Sequence, residues 1–123
     1  MTKPISTERG SCIFCKIVEG TAPAEIVREW PDAVAFVPLG PVVEGHVLVV
    51  PRVHVDDVTE DPMVSATTMA RAAELAREAF PCNVITSAGG EATQTIFHLH
   101  IHIVPRRAGD DLHLPWTDQV VSD

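Results

Sequence analysis

Residues 97–106 read Phe97-His98-Leu99-His100-Ile101-His102-Ile103-Val104-Pro105-Arg106, a run in which three histidines alternate with large aliphatic residues. Side chains two residues apart project from the same face of a β-strand, so an extended conformation places the imidazoles on one face and the aliphatic side chains on the other. The branched and aromatic composition, and the proline near the end of the run, also favour a strand over a helix. We therefore predict a strand with one apolar face and one face that carries a row of histidines.

The histidine row admits three chemical interpretations. As core residues, the imidazoles would each need a buried hydrogen-bond partner. As ligands of one metal ion they would be strained, because side chains two apart on a strand are separated by ~6.6 Å whereas a metal–nitrogen bond measures only ~2.0–2.1 Å. We favour a row that faces a substrate, since imidazole serves near neutral pH as a nucleophile, as an acid or base, or as a donor to anions.

The composition fits one compact domain with an acidic surface. With 123 residues, of which 46% are hydrophobic, the chain can bury one sizeable core. The formal net charge of -8 argues against duplex nucleic acid or an anionic membrane as a partner. Residues 1–10 read as a flexible N-terminal tail without the apolar centre of a signal peptide, and residues 11–123 as a single domain that ends in an irregular C-terminal tail. We expect a cytoplasmic protein.

Three cysteines in such a protein do not predict a disulfide framework. Cys12 and Cys15 form a C-x-x-C pair that follows a polar tail instead of a strand, which argues against a thioredoxin-like redox motif. The pair is half of a possible zinc site, with His54 and His98 as candidates for the other two ligands. The alternative is a pair of small apolar thiols packed under the first helix, and Cys82 is expected to be a buried thiol.

The remaining sequence predicts short strands around one long helix, with one short helix before them. We predict a short helix over residues 13–18, strands over 25–30, 33–37, 46–50 and 83–87, and a long helix that is capped by Asp61, begins at Pro62 and is ended by Pro81. Apolar residues at helical spacing predict which face of the long helix packs on the sheet or on a second subunit: Met63, Ala66, Met69, Ala70, Ala73, Ala76 and Phe80. No part of this helix indicates a site for an organic cofactor.

The pattern His98-x-His100-x-His102, with hydrophobic residues between and after the histidines and Pro105-Arg106 beyond them, resembles the histidine triad (HIT) family of nucleotide hydrolases and transferases. The resemblance extends through residues 94–96 and 41–51 and starts near Cys12, so it covers nearly the whole chain. It implies an α+β, HIT-like fold with an antiparallel sheet of about five strands, one long helix and a short N-terminal helix. It also implies a homodimer formed through the long helix and an edge strand.

The resemblance further implies roles for individual residues. His100 would attack the α-phosphorus of a nucleotide conjugate and form a covalent nucleotidyl-histidine, while His102 would donate to the phosphate oxygens. Thr95 would contact the leaving group, and His98 would orient the site. Seven positions are implied to bind the substrate: Ile13, Phe14, Ile17, Phe36, Leu39, Ser87 and Gln94. Simple core packing is the alternative for the first three. The resemblance also implies a structural zinc ion on Cys12, Cys15, His54 and His98.

The sequence departs from the family pattern at two positions. Pro38 stands where family members carry an Asp or Asn that holds the ribose hydroxyls, and Ser87 stands where Asn or Gln is common. His46 follows Gly45 as in the family, but one histidine at the start of a strand is not by itself a catalytic signal, and we assign it no catalytic role.

The leaving group stays open at the level of sequence. Gln94-Thr95 and Val42-Val43 are similar to the dinucleoside polyphosphate hydrolases, whereas residues 12–17 are similar to the phosphoramidate hydrolases. His102 argues against the nucleotidyl transferases, which usually carry Gln there. Two further hypotheses are a non-enzymatic nucleotide-binding or scaffolding protein and a metal-dependent hydrolase that uses the histidine row as ligands. Chelators would inactivate the latter.

Overall fold

A computed structural model of the protein describes residues 11–116, so the predicted N-terminal tail and the last part of the C-terminal tail lie outside the described residues. The elements are listed here in chain order: α1 (Ile13–Glu19), β1 (Glu25–Glu29), β2 (Ala33–Val37), β3 (Val47–Pro51), α2 (Pro62–Ala79), β4 (Cys82–Ile85) and β5 (Ile101–Pro105). All neighbouring strands are antiparallel, in the order β1-β2-β3-β5-β4. The predicted α+β fold with five strands, one long helix and a short N-terminal helix is confirmed.

The strand that carries the histidines is shorter than predicted, because it begins only at Ile101. The backbone before it has partners outside the sheet ladder: the Leu99 amide donates to the Val55 carbonyl at 2.8 Å, and the His100 carbonyl accepts from the Thr86 hydroxyl at 2.7 Å. The alternation of the two faces nevertheless continues through this segment. It places Leu99, Ile101 and Ile103 in the core beneath α2.

The sheet is covered on both faces, which positions the site. One core lies between the sheet and α2, and includes Ala35, Val49 and Leu75. The second core lies on the opposite face and consists of Cys12, Phe14 and Cys15 together with Val34, Phe36, Leu48 and Val50 from β2 and β3. Because the histidines project from this second face, they lie beside α1.

Helix α2 begins as predicted, with the Asp61 carboxylate accepting from the amides of Met63 and Val64. The predicted apolar stripe does not face the sheet, and its packing on a second subunit stays a prediction. The buried residues are Ser65, Thr68, Ala72 and Leu75, whereas Met63 is 73% and Phe80 is 83% exposed. The small inner residues let the helix approach the sheet closely, and their hydroxyls are satisfied by the carbonyls of Val58 and Val64. Hydrophobicity alone does not reveal such a face.

Within residues 11–116, no helix has both the length and the apolar character that a membrane span requires. Helix α1 is capped by the Cys12 sulfur, which accepts from the Cys15 amide at 3.2 Å, and it ends at Gly20 in the left-handed conformation with φ of 83°. The first cysteine therefore fixes the start of α1 and faces the second core at the same time.

Candidate active site and metal site

His98 is the first histidine of the row and is completely buried. Its Nε2 lies 2.9 Å from the Pro51 carbonyl oxygen, to which it donates. The proton is thus on Nε2, and the lone pair of Nδ1 points to the sulfur atoms of Cys12 and Cys15, at 3.4 and 3.5 Å. His98 therefore belongs to the cysteine pair, as predicted for the metal site.

In His100 the proton is on the other ring nitrogen, Nδ1. Its Nδ1 lies 2.8 Å from the His98 carbonyl oxygen, and only a protonated Nδ1 can donate to this acceptor. Burial lowers the pKa of His100 from its usual value, although the hydrogen bond to His98 raises it. A neutral ring protonated on Nδ1 has its free lone pair on Nε2, which is the form that a nucleophilic imidazole requires.

The tautomer of His102 is set through a second histidine. The Val42 amide donates to His46 Nδ1 at 3.1 Å, so His46 carries its proton on Nε2. His46 Nε2 lies 3.0 Å from His102 Nδ1 and donates to it, which leaves the proton of His102 on Nε2. Desolvation, followed by the neighbouring His100 and His46, lowers the pKa of His102 to about 4. His102 is therefore a neutral ring whose Nε2–H can donate to an anion.

His46, to which the sequence analysis assigned no catalytic role, is in direct contact with the histidine row. It is almost fully buried, its ring stacks on His102 with centroids 5.3 Å apart, and burial lowers its pKa. The preceding Gly45 has a φ of 90° and lies so close to Pro105 that a Cβ atom would approach that ring to 3.1 Å. The Gly45-His46 pair is thus the sequence feature that could have indicated the position of His46. Glycine is needed there because the chain turns tightly against β5.

The predicted base-contacting residues divide into buried and exposed ones. Phe14 and Phe36 are in the second core, with their ring centroids 5.4 Å apart, and the Phe14 ring lies 5.2 Å edge-on from His100. Ile17 is half-buried, whereas Ile13 and Leu39 are exposed. Phe14 thus packs against His100, and Phe36 packs against Phe14. Ile13 and Leu39 offer apolar surface, and contact of any of these residues with a nucleotide base stays a prediction.

The remaining predicted residues lie on the segments that lead to the row. Gln94 is buried: its Nε2 donates to the carbonyls of Asp56 and Ile96, and its Oε1 accepts from the Gly89 amide at 2.8 Å. These bonds hold the loop of residues 89–95 and leave little of the side chain for a substrate. Ser87 is half-buried and Thr95 is exposed, and their contacts with a substrate stay predictions. Thr86, which the sequence analysis did not single out, fixes the His100 carbonyl.

The four predicted metal ligands come together. Ligand atoms of Cys12, Cys15, His54 and His98 all lie within 4.8 Å of one another. His54 Nδ1 is 3.2 Å from the Cys15 sulfur, and its Nε2 donates to the Asp56 carboxylate at 3.3 Å. Tetrahedral zinc, with Zn–S bonds of ~2.3 Å and Zn–N bonds of ~2.0–2.1 Å, holds its sulfur and nitrogen ligands about 3.6 Å apart. The donor set, spacing and outer hydrogen bonds therefore fit zinc.

Most arginines of the described residues form ion pairs with carboxylates. The guanidinium groups of four arginines in the described part of the chain are paired with carboxylates: Arg28 with Glu78, Arg52 with Glu29, Arg71 with Asp32 and Glu74, and Arg106 with Asp110. The contacts of His100 and His102 are with backbone, phenylalanine and other imidazoles. In the described part of the chain, His100 and His102 thus form no ion pair with a carboxylate or a cation.

Comparison with known proteins gives consistent matches. The sequence matches the HIT domain over residues 19–109. A Zn-bound histidine triad family protein from Mycobacterium smegmatis is 38% identical, with a TM-score of 0.76 over 86% of this chain and 82% of that chain. SMU.412c from Streptococcus mutans is 32% identical, with a TM-score of 0.82 over 99% of this chain and 80% of that chain. A protein named adenylylsulfatase HINT3 from Arabidopsis thaliana is 32% identical over 114 residues, which are 87% of this chain and 58% of that protein.

Proposed function

This chain belongs to the HIT family, and from that premise we propose that it hydrolyses nucleotide conjugates at the α-phosphate through a covalent intermediate on His100. The observation that carries the proposal is the pair of opposite tautomers. His100 is protonated on Nδ1 by its bond to the His98 carbonyl, and His102 is protonated on Nε2 by its bond from His46. One ring offers a lone pair and its neighbour offers an N–H, with ring centroids 5.2 Å apart.

The reaction then proceeds in two displacements. The lone pair of His100 Nε2 attacks the α-phosphorus, the phosphorus–nitrogen bond forms, and the leaving group departs with its bonding electron pair and takes a proton from solvent. The Nε2–H of His102 donates to a non-bridging oxygen as negative charge develops there. Water next attacks the same phosphorus and loses a proton to solvent. The phosphorus–nitrogen bond breaks, its electron pair returns to His100 Nε2, and the nucleoside monophosphate is released.

The charge of the site favours a leaving group of low charge. Neutral imidazoles on a chain of net charge -8 offer little attraction for the extra phosphates of a dinucleoside polyphosphate. An adenosine phosphoramidate presents only one phosphate, and we place this class first among the two that the sequence left open. The relative named adenylylsulfatase supports the broader class, hydrolysis of a small nucleotide conjugate.

We assign a structural zinc ion to Cys12, Cys15, His54 and His98. When bound there, zinc would tie the start of α1 to the segment after β3 and to the first histidine of the row, and its thiolate ligands fit the predicted cytoplasmic location, where cysteines stay reduced. A hydrolase that uses the whole row as ligands is less well supported, because His98 directs its Nδ1 to the cysteine pair and its Nε2 to the Pro51 carbonyl.

We also propose a homodimer. The outer face of α2 exposes Met63, Met69 and Phe80, and β4 is an edge strand with Val84 and Ile85 partly exposed. A second copy that covers both would remove this apolar surface from water. Sedimentation velocity at several concentrations tests it: a species of about 13 kDa at all concentrations would contradict the proposal.

The test of function uses adenosine 5′-phosphoramidate and diadenosine polyphosphates with the wild-type protein, with His100→Ala, and with His113→Ala as a matched control. His113 is a histidine that is exposed and lies outside the row. We expect hydrolysis by wild type and by the control, loss in His100→Ala, and an acid-quenched adduct on the peptide that contains His100. Hydrolysis by His100→Ala at the wild-type rate would exclude the covalent route, and nucleotide binding without turnover by wild type would favour the scaffolding hypothesis.

A further inference from the structure

The loop that leaves β2 carries five consecutive residues without a polar side chain, Pro38-Leu39-Gly40-Pro41-Val42. Leu39 is fully exposed, and Val42 is 54% exposed. Exposed apolar side chains in a row are unusual in a surface loop, where polar residues are the norm. The reason for this apolar composition lies in the part of the protein next to the loop.

Strand register places this loop next to the histidine pair. Phe36 pairs with Leu48, and Leu48 pairs with His102, so these three residues form one row across the site face of the sheet. The loop leaves β2 two residues after Phe36. Its far end returns to the site, where the Val42 amide bonds to His46, which in turn bonds to His102. The loop thus forms the wall of the site on the β2 side of His102.

This wall offers few hydrogen-bond partners. Proline has no backbone N–H, and the N–H of Val42 is already bonded to His46. Among residues 38–42, only Leu39 and Gly40 have an amide N–H left, and none has a side-chain acceptor for a hydroxyl group. Phe36 and Leu48, which lie between this loop and His102 on the site face, are apolar and buried.

We propose, on the basis of the function proposed above, that this apolar wall makes the enzyme insensitive to the sugar hydroxyls of its substrate. Ribonucleoside, 2′-deoxynucleoside and 2′,3′-dideoxynucleoside conjugates are then processed with similar efficiency. A site that hydrogen-bonds a substrate hydroxyl rejects an analogue without it by about 10⁴–10⁵ in kcat/KM, because its own polar groups are left unpaired. The side chains of this wall carry no such group, and the backbone groups of Leu39 and Gly40 are exposed, so water can pair with them when a hydroxyl is missing. The sugar hydroxyls themselves stay in water beside the exposed Leu39.

The experiment compares kcat/KM for the 5′-phosphoramidates of adenosine and of 2′,3′-dideoxyadenosine. We expect the two values to agree within about tenfold for wild type. Pro38→Asp, which introduces a carboxylate acceptor into the wall, should raise the ratio in favour of adenosine by at least about tenfold. Pro38→Ala is the control, because it removes the proline without adding an acceptor and should leave the ratio unchanged. Thermal unfolding of each variant confirms that the ratio is measured on folded protein.

Each outcome decides a separate point. A wild-type preference for adenosine above about 10³ would show that hydroxyls are read and would overturn the inference, while hydrolysis itself would still support the proposed function. A ratio that Pro38→Asp leaves at the wild-type value would overturn the placement of the sugar against this loop. Absence of hydrolysis and of a His100 adduct with both compounds would overturn the proposed function, and the inference with it.

Discussion

Replacing His46 by alanine separates a positioning role from a catalytic one. In the structure His46 accepts from the Val42 amide and donates to His102, and these two bonds place the proton of His102 on Nε2. Without His46, the His102 ring is free to take either neutral tautomer and to rotate. Only the Nε2–H tautomer in its original orientation donates to the phosphate.

The size of the effect follows from what is lost. Removing a donor to a developing oxyanion outright costs about 10²–10³ in kcat, which sets the expectation for His102→Ala. His46→Ala keeps the donor but loses its orientation, so we expect a loss of about 10–10² in kcat with a smaller change in KM. The buried groups left without partners should also lower the free energy of unfolding by about 1–3 kcal/mol.

The assay is a double-mutant cycle in steady-state kinetics. Because His46 acts through His102, the variant that lacks both histidines should be no slower than His102→Ala alone. His46→Gln should recover part of the activity, since its carboxamide can accept from Val42 and donate to His102 with the same sense as the imidazole. If the two losses instead multiply, or if His46→Gln is as slow as His46→Ala, the relay of tautomers is not how His46 acts.

Three further predictions concern the protonation of His102, the zinc site and the backbone carbonyl of His100. Burial lowers the pKa of His102 to about 4, from 6.5 in the unfolded chain, so between these pH values the unfolded state binds more protons than the folded state. The free energy of unfolding should therefore fall as the pH is lowered from 6.5 to 4. In urea titrations, His102→Gln should reduce this dependence on pH. Cys12→Ser should lower the zinc content measured by mass spectrometry and lower Tm, whereas Cys82→Ser should leave the zinc content unchanged. Thr86→Val removes the hydrogen bond to the His100 carbonyl and should reduce kcat with little change in Tm. Equal kcat values for this variant and for wild type would contradict a positioning role for Thr86.

Local chemical signals in the sequence predicted a large part of this structure. The alternation of residues 98–103 survives although β5 begins only at Ile101, because alternation requires an extended chain and not a complete hydrogen-bond ladder. Asp61 caps α2 as predicted, since the cap depends on a side chain and an amide two or three residues away. The four metal ligands were identified from residue type and from the family resemblance, and the fold brings them together.

Features that depend on long-range packing were not accessible in the same way. The inner face of α2 is built from Ser65, Thr68 and Ala72, whose small size matters only because the sheet lies directly beneath. The role of His46 depends on its partner 56 positions along the chain. Contact of Gln94 with substrate stays a prediction. The bonds of its carboxamide to backbone at Gly89 and Asp56 are a choice that the sequence of the loop does not specify.

The same side chain thus does different chemistry at neighbouring positions because of what its second nitrogen touches. A carboxylate partner stabilises the protonated form of a histidine and raises its pKa. His100 instead donates to a backbone carbonyl, which fixes the tautomer while adding no full negative charge. Burial can then keep the pKa of His100 low and its lone pair free. A carboxylate in place of that carbonyl would favour the protonated ring, which has no free lone pair, so a backbone acceptor suits the proposed reaction better.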